Sequence, residues 1–424
     1  MDRFHFVDEA LHCEDVPARD LADAYGTPLY VYSAGTIRDH FRLVRDAFQE
    51  ASPLVCYSVK ANSNLAVLRL LKEEGAGFDV VSGGELFRVG RIGGDPSKVV
   101  FAGVGKSREE IREALDAGIA LFNVESEAEL SRIDETARSA GRTASVAIRL
   151  NPDVDPHTHR YITTGKRENK FGLDWDLSLR TAEKARRMKH VEIRGVHMHI
   201  GSQILEVRPY RASLKKAVDF ARMLAGQGHP VESVNVGGGF GITYDEREAL
   251  PPSAFAAEML PLLEGSGFDL LLEPGRFVVG NAGILLTRVI TVKQSGGKRF
   301  AVTDAGMNDL ARPSLYGAFH RIWPVSGPAP SALPEASLID TDVVGPICES
   351  SDFLGKARLL PPLDAGTLLS VHSAGAYGFT MASNYNSRPR PAEVMVEGNR
   401  HRLVRRRETR EDLVRGEEEE DALA

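Results

Sequence analysis

Lys60 closes an apolar, strand-like run, Leu54-Val55-Cys56-Tyr57-Ser58-Val59, and a lysine so placed can offer its amine to a carbonyl as a Schiff base. The plainer reading is a surface lysine whose stem covers apolar atoms. Further along come His197-Met198-His199-Ile200-Gly201-Ser202, Gly237-Gly238-Gly239-Phe240-Gly241 and Glu273-Pro274-Gly275-Arg276. Three successive glycines are either a flexible turn or a set of backbone N–H groups bared to an anion, and Ser202 could add a hydroxyl donor. His199 is a satisfied structural histidine or a ring that stacks on an aromatic ligand. Glu273 either pairs with Arg276 three residues on or faces a pyridine nitrogen and keeps it protonated.

The elements that must position these groups alternate. Short β-rich runs at 54–59, 78–81, 99–102, 121–124, 145–150, 191–199, 233–236 and 269–272 are separated by helical patterns. Eight such repeats close a parallel barrel, whereas five or six would suggest an open sheet. Ser107 with Glu110, and Ser126 with Glu129, read as capping boxes, and Gly118 and Gly141 as helix stops. Leu130, Ile133 and Ala137 form the stripe expected of a helix packed on a barrel. In such a barrel the C-terminal strand ends share one mouth. Lys60 follows the first run, Asp79 and Ser82 the second, Arg149 the fifth, His199 the sixth, the glycines the seventh, and Glu273, Gly275 and Arg276 the eighth. That shared position, more than any single residue, makes the set the parts list for holding pyridoxal phosphate (PLP): an amine, a stacking ring, an anion cradle and a carboxylate.

After residue 282 the rhythm changes. Runs at 289–292 and 300–303 flank Gly296-Gly297 as a hairpin, and further strands are expected at 337–344, 367–371, 393–396 and 401–404. The Pro-, Ser- and Ala-rich 325–336 reads as an exposed loop. The fold class is therefore α/β, a parallel (β/α)8 TIM-type barrel over 27–280 followed by a β-rich C-terminal domain over 281–424, with 1–26 packing against the latter. Arg405-Arg406-Arg407 reads as a strand end, and the acidic run 417–421 as a solvated tail.

Composition removes several classes. A chain of 424 residues with 42% hydrophobic and 26% charged side chains can fill more than one core. The net charge of -7 offers nothing to nucleic acid or to an anionic membrane. No apolar stretch approaches the roughly 20 residues a membrane span needs, and the first residues carry no leader pattern. Three cysteines, Cys13, Cys56 and Cys348, suit a reducing, cytoplasmic setting better than a disulfide framework.

The segments around Lys60, His199, Gly237 and Glu273 resemble the fold-type III, alanine-racemase-like PLP decarboxylases. Three further stretches are similar to the diaminopimelate decarboxylase family. They are Tyr161-Ile162-Thr163-Thr164-Gly165 leading to Asn169-Lys170-Phe171-Gly172, the segment Ala305-Gly306-Met307-Asn308-Asp309-Leu310-Ala311-Arg312-Pro313-Ser314-Leu315-Tyr316, and Gly345-Pro346-Ile347-Cys348-Glu349-Ser350. The likeness runs from about residue 20 to 415, with Ser351 standing where glycine is expected. It implies decarboxylation of meso-diaminopimelate to L-lysine, the last step of lysine biosynthesis. Lys60 would carry PLP, His199 stack on it and Glu273 bond its ring nitrogen. Asp79, Ser202, Gly237, Gly238, Gly239, Gly275, Arg276 and Tyr377 would complete the cofactor site. Arg276, Arg312, Tyr316, Glu349 and Tyr377 would hold the substrate, and Cys348 would donate the proton across a homodimer interface; no metal is implied. Without the resemblance, Cys348 reads as a small buried hydrophobe and Tyr377 as a packed loop aromatic. Alternatives are a decarboxylase of ornithine, arginine or carboxynorspermidine, a racemase, and a non-catalytic PLP-binding homologue.

Overall fold

A computed structural model describes residues 2–154, 170–245 and 247–417. The chain divides into two compact units, one of Arg38–Ile242 with Glu248–Val278, the other of Met1–Ile37, Thr243–Arg247 and Val279–Ala424.

The first unit is a closed barrel of eight parallel strands. In chain order they are Leu54–Ser58, Gly77–Val80, Val99–Phe101, Leu121–Val124, Ala144–Arg149, Val191–His197, Ser233–Asn235 and Asp269–Leu272, and the eighth pairs with the first. These strands are nearly continuous apolar runs because both of their faces are covered. The helices between them start and stop where their caps dictate. Ser107 and Glu110 make a full capping box for Arg108–Ala117, and Gly118 ends that helix in the left-handed region at φ 74°. At Glu127–Ala140 only half of the expected box forms. Ser126 accepts from the Glu129 N–H, but the Glu129 carboxylate turns away to Glu125 N at 2.8 Å and to Lys106 Nζ at 2.6 Å. A buried ammonium is a stronger partner than the Ser126 N–H. Leu130, Ile133 and Ala137 are buried, as the stripe requires.

The second unit is built on a nine-stranded sheet. Its main path runs Phe353–Leu360, Ile339–Val344, Lys298–Thr303, Gly283–Ser295, Leu29–Ser33, Ala392–Glu397 and Arg400–Arg405, with Leu368–Val371 branching from the long strand and Ile322–Pro324 pairing with Leu368–Val371. The expected hairpin turns at Gly296-Gly297, whose φ of 58° and 80° suit a two-residue primed turn. Leu29–Ser33, which the expected 27–280 boundary includes in the barrel domain, lies in this sheet. It is antiparallel to Gly283–Ser295 and parallel to Ala392–Glu397, so the barrel unit starts at Arg38 and not at residue 27. All five of its residues are buried, which removes the alternation that would have betrayed its sheet. The N-terminal strands Phe4–Val7, Ala10–Cys13 and Val16–Pro17 form a small separate sheet. Leu11, Leu21, Val31, Ile284, Leu286 and Val394 share one core. The 325–336 segment opens with buried Val325 and then makes short turns at Pro330–Ala332 and Glu335–Ser337. Cys13 and Cys56 are buried and Cys348 is exposed. Among the described residues no helix is long and apolar enough to cross a membrane.

Candidate active site

At the barrel mouth, Lys60 sits in the single turn Val59–Ala61 directly after the first strand. Its Nζ lies 2.9 Å from Asp79 Oδ2, a carboxylate with no exposed side-chain surface that also accepts from Ser58 Oγ at 2.6 Å. Burial pushes the Asp79 carboxyl up, and the Lys60 charge works against that. Ser82, singled out with Asp79, caps the helix Gly83–Arg91 by accepting from Glu85 N. Arg149 ends the fifth strand, pairs with Glu125 at 2.8 Å and lies 4.9 Å from the centre of the Phe171 ring.

His199 follows the sixth strand. Its Nδ1 accepts from Gly238 N at 3.3 Å, and burial, with the charges of Arg149 and Lys60, holds the ring well below the usual histidine range. It is a neutral imidazole with its second nitrogen protonated. The glycine run is required by close approach. A Cβ on Gly238 would sit 2.0 Å from the Glu273 carbonyl oxygen, and one on Gly239, at φ 107°, would sit 2.3 Å from the Gly201 carbonyl. Gly237 donates its N–H to Asn235 Oδ1 at 2.9 Å, so two of the three N–H groups fix the loop to strand ends and to His199. Gly275 would bring a Cβ within 3.0 Å of Ser58 Cβ. Arg276 donates to Ser202 Oγ from Nε at 3.3 Å and from Nη2 at 3.1 Å.

Glu273 is held by groups the sequence reading passed over. Its Oε1 accepts from Asn123 Nδ2 at 3.1 Å and Asn235 Nδ2 at 2.7 Å, and its Oε2 lies 3.2 Å from His197 Nε2. Burial alone would raise this carboxyl, but the charge and hydrogen bond of His197, then Lys60, hold it well below the carboxylate range. The available signal was an asparagine on each of two barrel strands, Leu121–Val124 and Ser233–Asn235.

The remaining candidates belong to the second unit. Arg312 is buried at the head of Arg312–Tyr316, donates to His320 Nε2 at 2.9 Å and lies 4.8 Å from the centre of the Tyr244 ring. Tyr316 and Tyr377 are half-buried, and Tyr377 is held in the left-handed region at φ 55°, a strained setting of the kind that gathers at functional loops. Cys348 and Glu349 are exposed on a loop whose backbone Asp352 pins by accepting from Met307 N at 2.7 Å and Ile347 N at 2.6 Å. Cys348 N donates to Asn386 Oδ1 at 2.8 Å, and Glu349 Oε2 accepts from Tyr385 at 3.0 Å. Ser351 is not among the left-handed residues, so its turn does not need glycine. Positions 161–165 and Asn169 of the long motif lie outside the described residues, while Gly172, at φ 71°, donates its N–H to Glu125 Oε2 at 3.1 Å.

The barrel mouth fits PLP on its own chemistry. It has an amine against a buried carboxylate, a neutral ring beside a loop whose Cβ positions are already filled, and a buried anion suited to a pyridinium. Comparison with known proteins agrees. The family described as "Pyridoxal-dependent decarboxylase, pyridoxal binding domain" matches residues 34–280. Diaminopimelate decarboxylase of Aquifex aeolicus is 46% identical over 410 residues, 96% of each chain. That of Pseudomonas aeruginosa is 47% identical over 419 residues, 98% of this chain and 99% of the other. The crystal structure of diaminopimelate decarboxylase from M. jannaschii in co-complex with L-lysine has a TM-score of 0.92 at 37% identity, covering 100% of this chain and 99% of that one.

Proposed function

The chain belongs to the diaminopimelate decarboxylase family, and on that premise we propose that it removes, as carbon dioxide, the carboxylate at the D-configured end of meso-diaminopimelate and releases L-lysine. The observation that carries the reading is Lys60 Nζ, 2.9 Å from Asp79, in the same ring of strand ends as Glu273. Lys60 is the amine that would hold PLP covalently, and Asp79 orients that amine. The neutral His199 ring would lie against the cofactor face. Ser202, Gly237 to Gly239, Gly275 and Arg276 would line the phosphate, and Tyr377 would join them. When bound, PLP supplies a conjugated pyridinium that accepts the electron pair left as the carboxylate departs. Glu273, kept anionic, would hold the proton on the ring nitrogen. Arg276, Arg312, Tyr316, Glu349 and Tyr377 would bind the substrate, the arginines at its carboxylates and Glu349 at an ammonium. Cys348 would return a proton to the α-carbon.

The protein would act as a cytoplasmic homodimer with Cys348 of one copy serving the barrel of the other. The support is the exposure of Cys348 near Tyr385, an aromatic side chain 44% exposed, a costly surface unless covered. The test is an absorbance spectrum of purified protein, then addition of meso-diaminopimelate with lysine and carbon dioxide measured. Ornithine, arginine, lysine and carboxynorspermidine serve as the comparison panel. Turnover of a panel member in preference to meso-diaminopimelate would overturn the assignment, and a monomer with full activity would overturn the composite site.

A further inference from the structure

The cage around Glu273 is assembled from three different strands, and each of its members is fully buried. Asn123 comes from the fourth strand, His197 from the sixth and Asn235 from the seventh, none more than 1% exposed. A carboxylate has about four acceptor directions, and these side chains fill three of them.

The orientation of each donor is determined by its surroundings. Asn235 accepts from Gly237 N through Oδ1, so its Nδ2 must be the atom facing Glu273. Asn123 must turn Nδ2 to Glu273 because a carboxylate only accepts, its Oδ1 having no partner among the described residues, while its backbone carbonyl accepts from the buried Lys106 Nζ at 2.8 Å. Among the described residues His197 Nδ1 is buried with no hydrogen-bond partner, and Nε2 is the ring atom that faces Glu273. Facing a carboxylate, which only accepts, the ring donates from Nε2. All three side chains donate into the carboxylate, so the cage favours its ionised form.

We propose that His197, Asn123 and Asn235 are positioning residues that hold Glu273 ionised with one acceptor direction left for the protonated ring nitrogen of the cofactor, and that His197 sets the lower pH limit of the enzyme. This rests on the reading of Glu273 given above. The titratable groups facing Glu273 are Cys56 and Lys60 from the first strand and its turn, Asp79 from the second strand, and His197 and His199 from the sixth. Of these, His197 is the one in hydrogen-bond contact. Removing its donor leaves burial less opposed, so the carboxyl pKa rises and the anion is lost on the acid side.

The experiment compares His197→Met, His197→Gln, Asn123→Ala and Glu273→Gln with the wild type, all reconstituted with PLP. It reads the dissociation constant for PLP, the visible absorbance of the bound cofactor from pH 5 to 9, and kcat and KM. His197→Met is expected to weaken PLP binding about tenfold and to lower kcat about tenfold with KM little changed. Its visible band should fade as pH falls, over a range where the wild type is flat. Gln places an amide N–H where Nε2 was, so His197→Gln should restore most of the loss. Asn123→Ala should shift the same readouts in the same direction by less. If His197→Met does not fold, as judged by circular dichroism, the His197→Gln and Asn123→Ala pair decides: an unshifted Asn123→Ala overturns the proposal. Wild-type affinity and pH profile in His197→Met, with Glu273→Gln impaired, would mean the cage is packing alone. A Glu273→Gln variant that behaves as wild type would instead remove Glu273 from its role.

Discussion

At the barrel mouth, Lys60, Asp79, His197 and Glu273 are held side chain to side chain between strand ends, whereas Cys348 and Glu349 stand exposed on a loop held chiefly through its backbone. The difference follows from what each would touch. Groups that tune a ring must hold their charge and direction through every turnover, and burial among fixed donors provides that. Groups that meet a flexible substrate need reach, and an exposed loop on a rigid sheet provides that.

The largest expected effect breaks the mouth. Lys60→Ala should abolish the visible absorbance of bound PLP and lower turnover by more than about a thousandfold. A normal band in that variant would move the attachment elsewhere. Breaking the loop should look different: Cys348→Ala is expected to slow turnover by about a hundredfold with the cofactor still bound. Full activity there would mean that another group supplies the proton.

A third prediction concerns a buried group of the second unit. Asp309 accepts from Gly306 N at 2.9 Å, and burial pushes its carboxyl up to about 7. A raised carboxyl pKa stabilises the fold fully below the unfolded value, and that contribution is lost as pH rises through 7. Between pH 5 and 8 this should cost the second unit about 2 kcal/mol. Asp309→Asn should remove that part of the slope in urea midpoints, and an identical slope in the variant would contradict it. Glu85 in the barrel, also raised to about 7 by burial, keeps its own share in both proteins. The smallest effect sharpens the comparison: Arg312→Lys should raise KM about tenfold with the absorbance unchanged, because an ammonium cannot reproduce the guanidinium fork. A changed cofactor band would show that Arg312 acts on the ring instead.

The barrel was legible because each of its strands is a short apolar run between helical segments with readable caps. The second sheet was less so. Phe353–Leu360 carries Lys356 and Arg358 and is bulged at Ala357, where φ is 51°, so its alternation is broken. Ile322–Pro324 is too short to register as a pattern, and Leu29–Ser33 is apolar throughout. Within the site, charged and glycine residues at strand ends stand out by type. Asn123 and Asn235 do not, because an asparagine gains meaning only from what lies across the barrel from it.

Among the described residues Leu29–Ser33 finds its ladder partners in Gly283–Ser295 and Ala392–Glu397. During synthesis that strand leaves the ribosome early and must wait, its backbone unpaired, while the whole barrel is made. The chain is thus threaded as one unit inserted into another. That sheet can close only once Ala392–Glu397 has emerged, and removing that strand should harm the sheet before it harms the barrel.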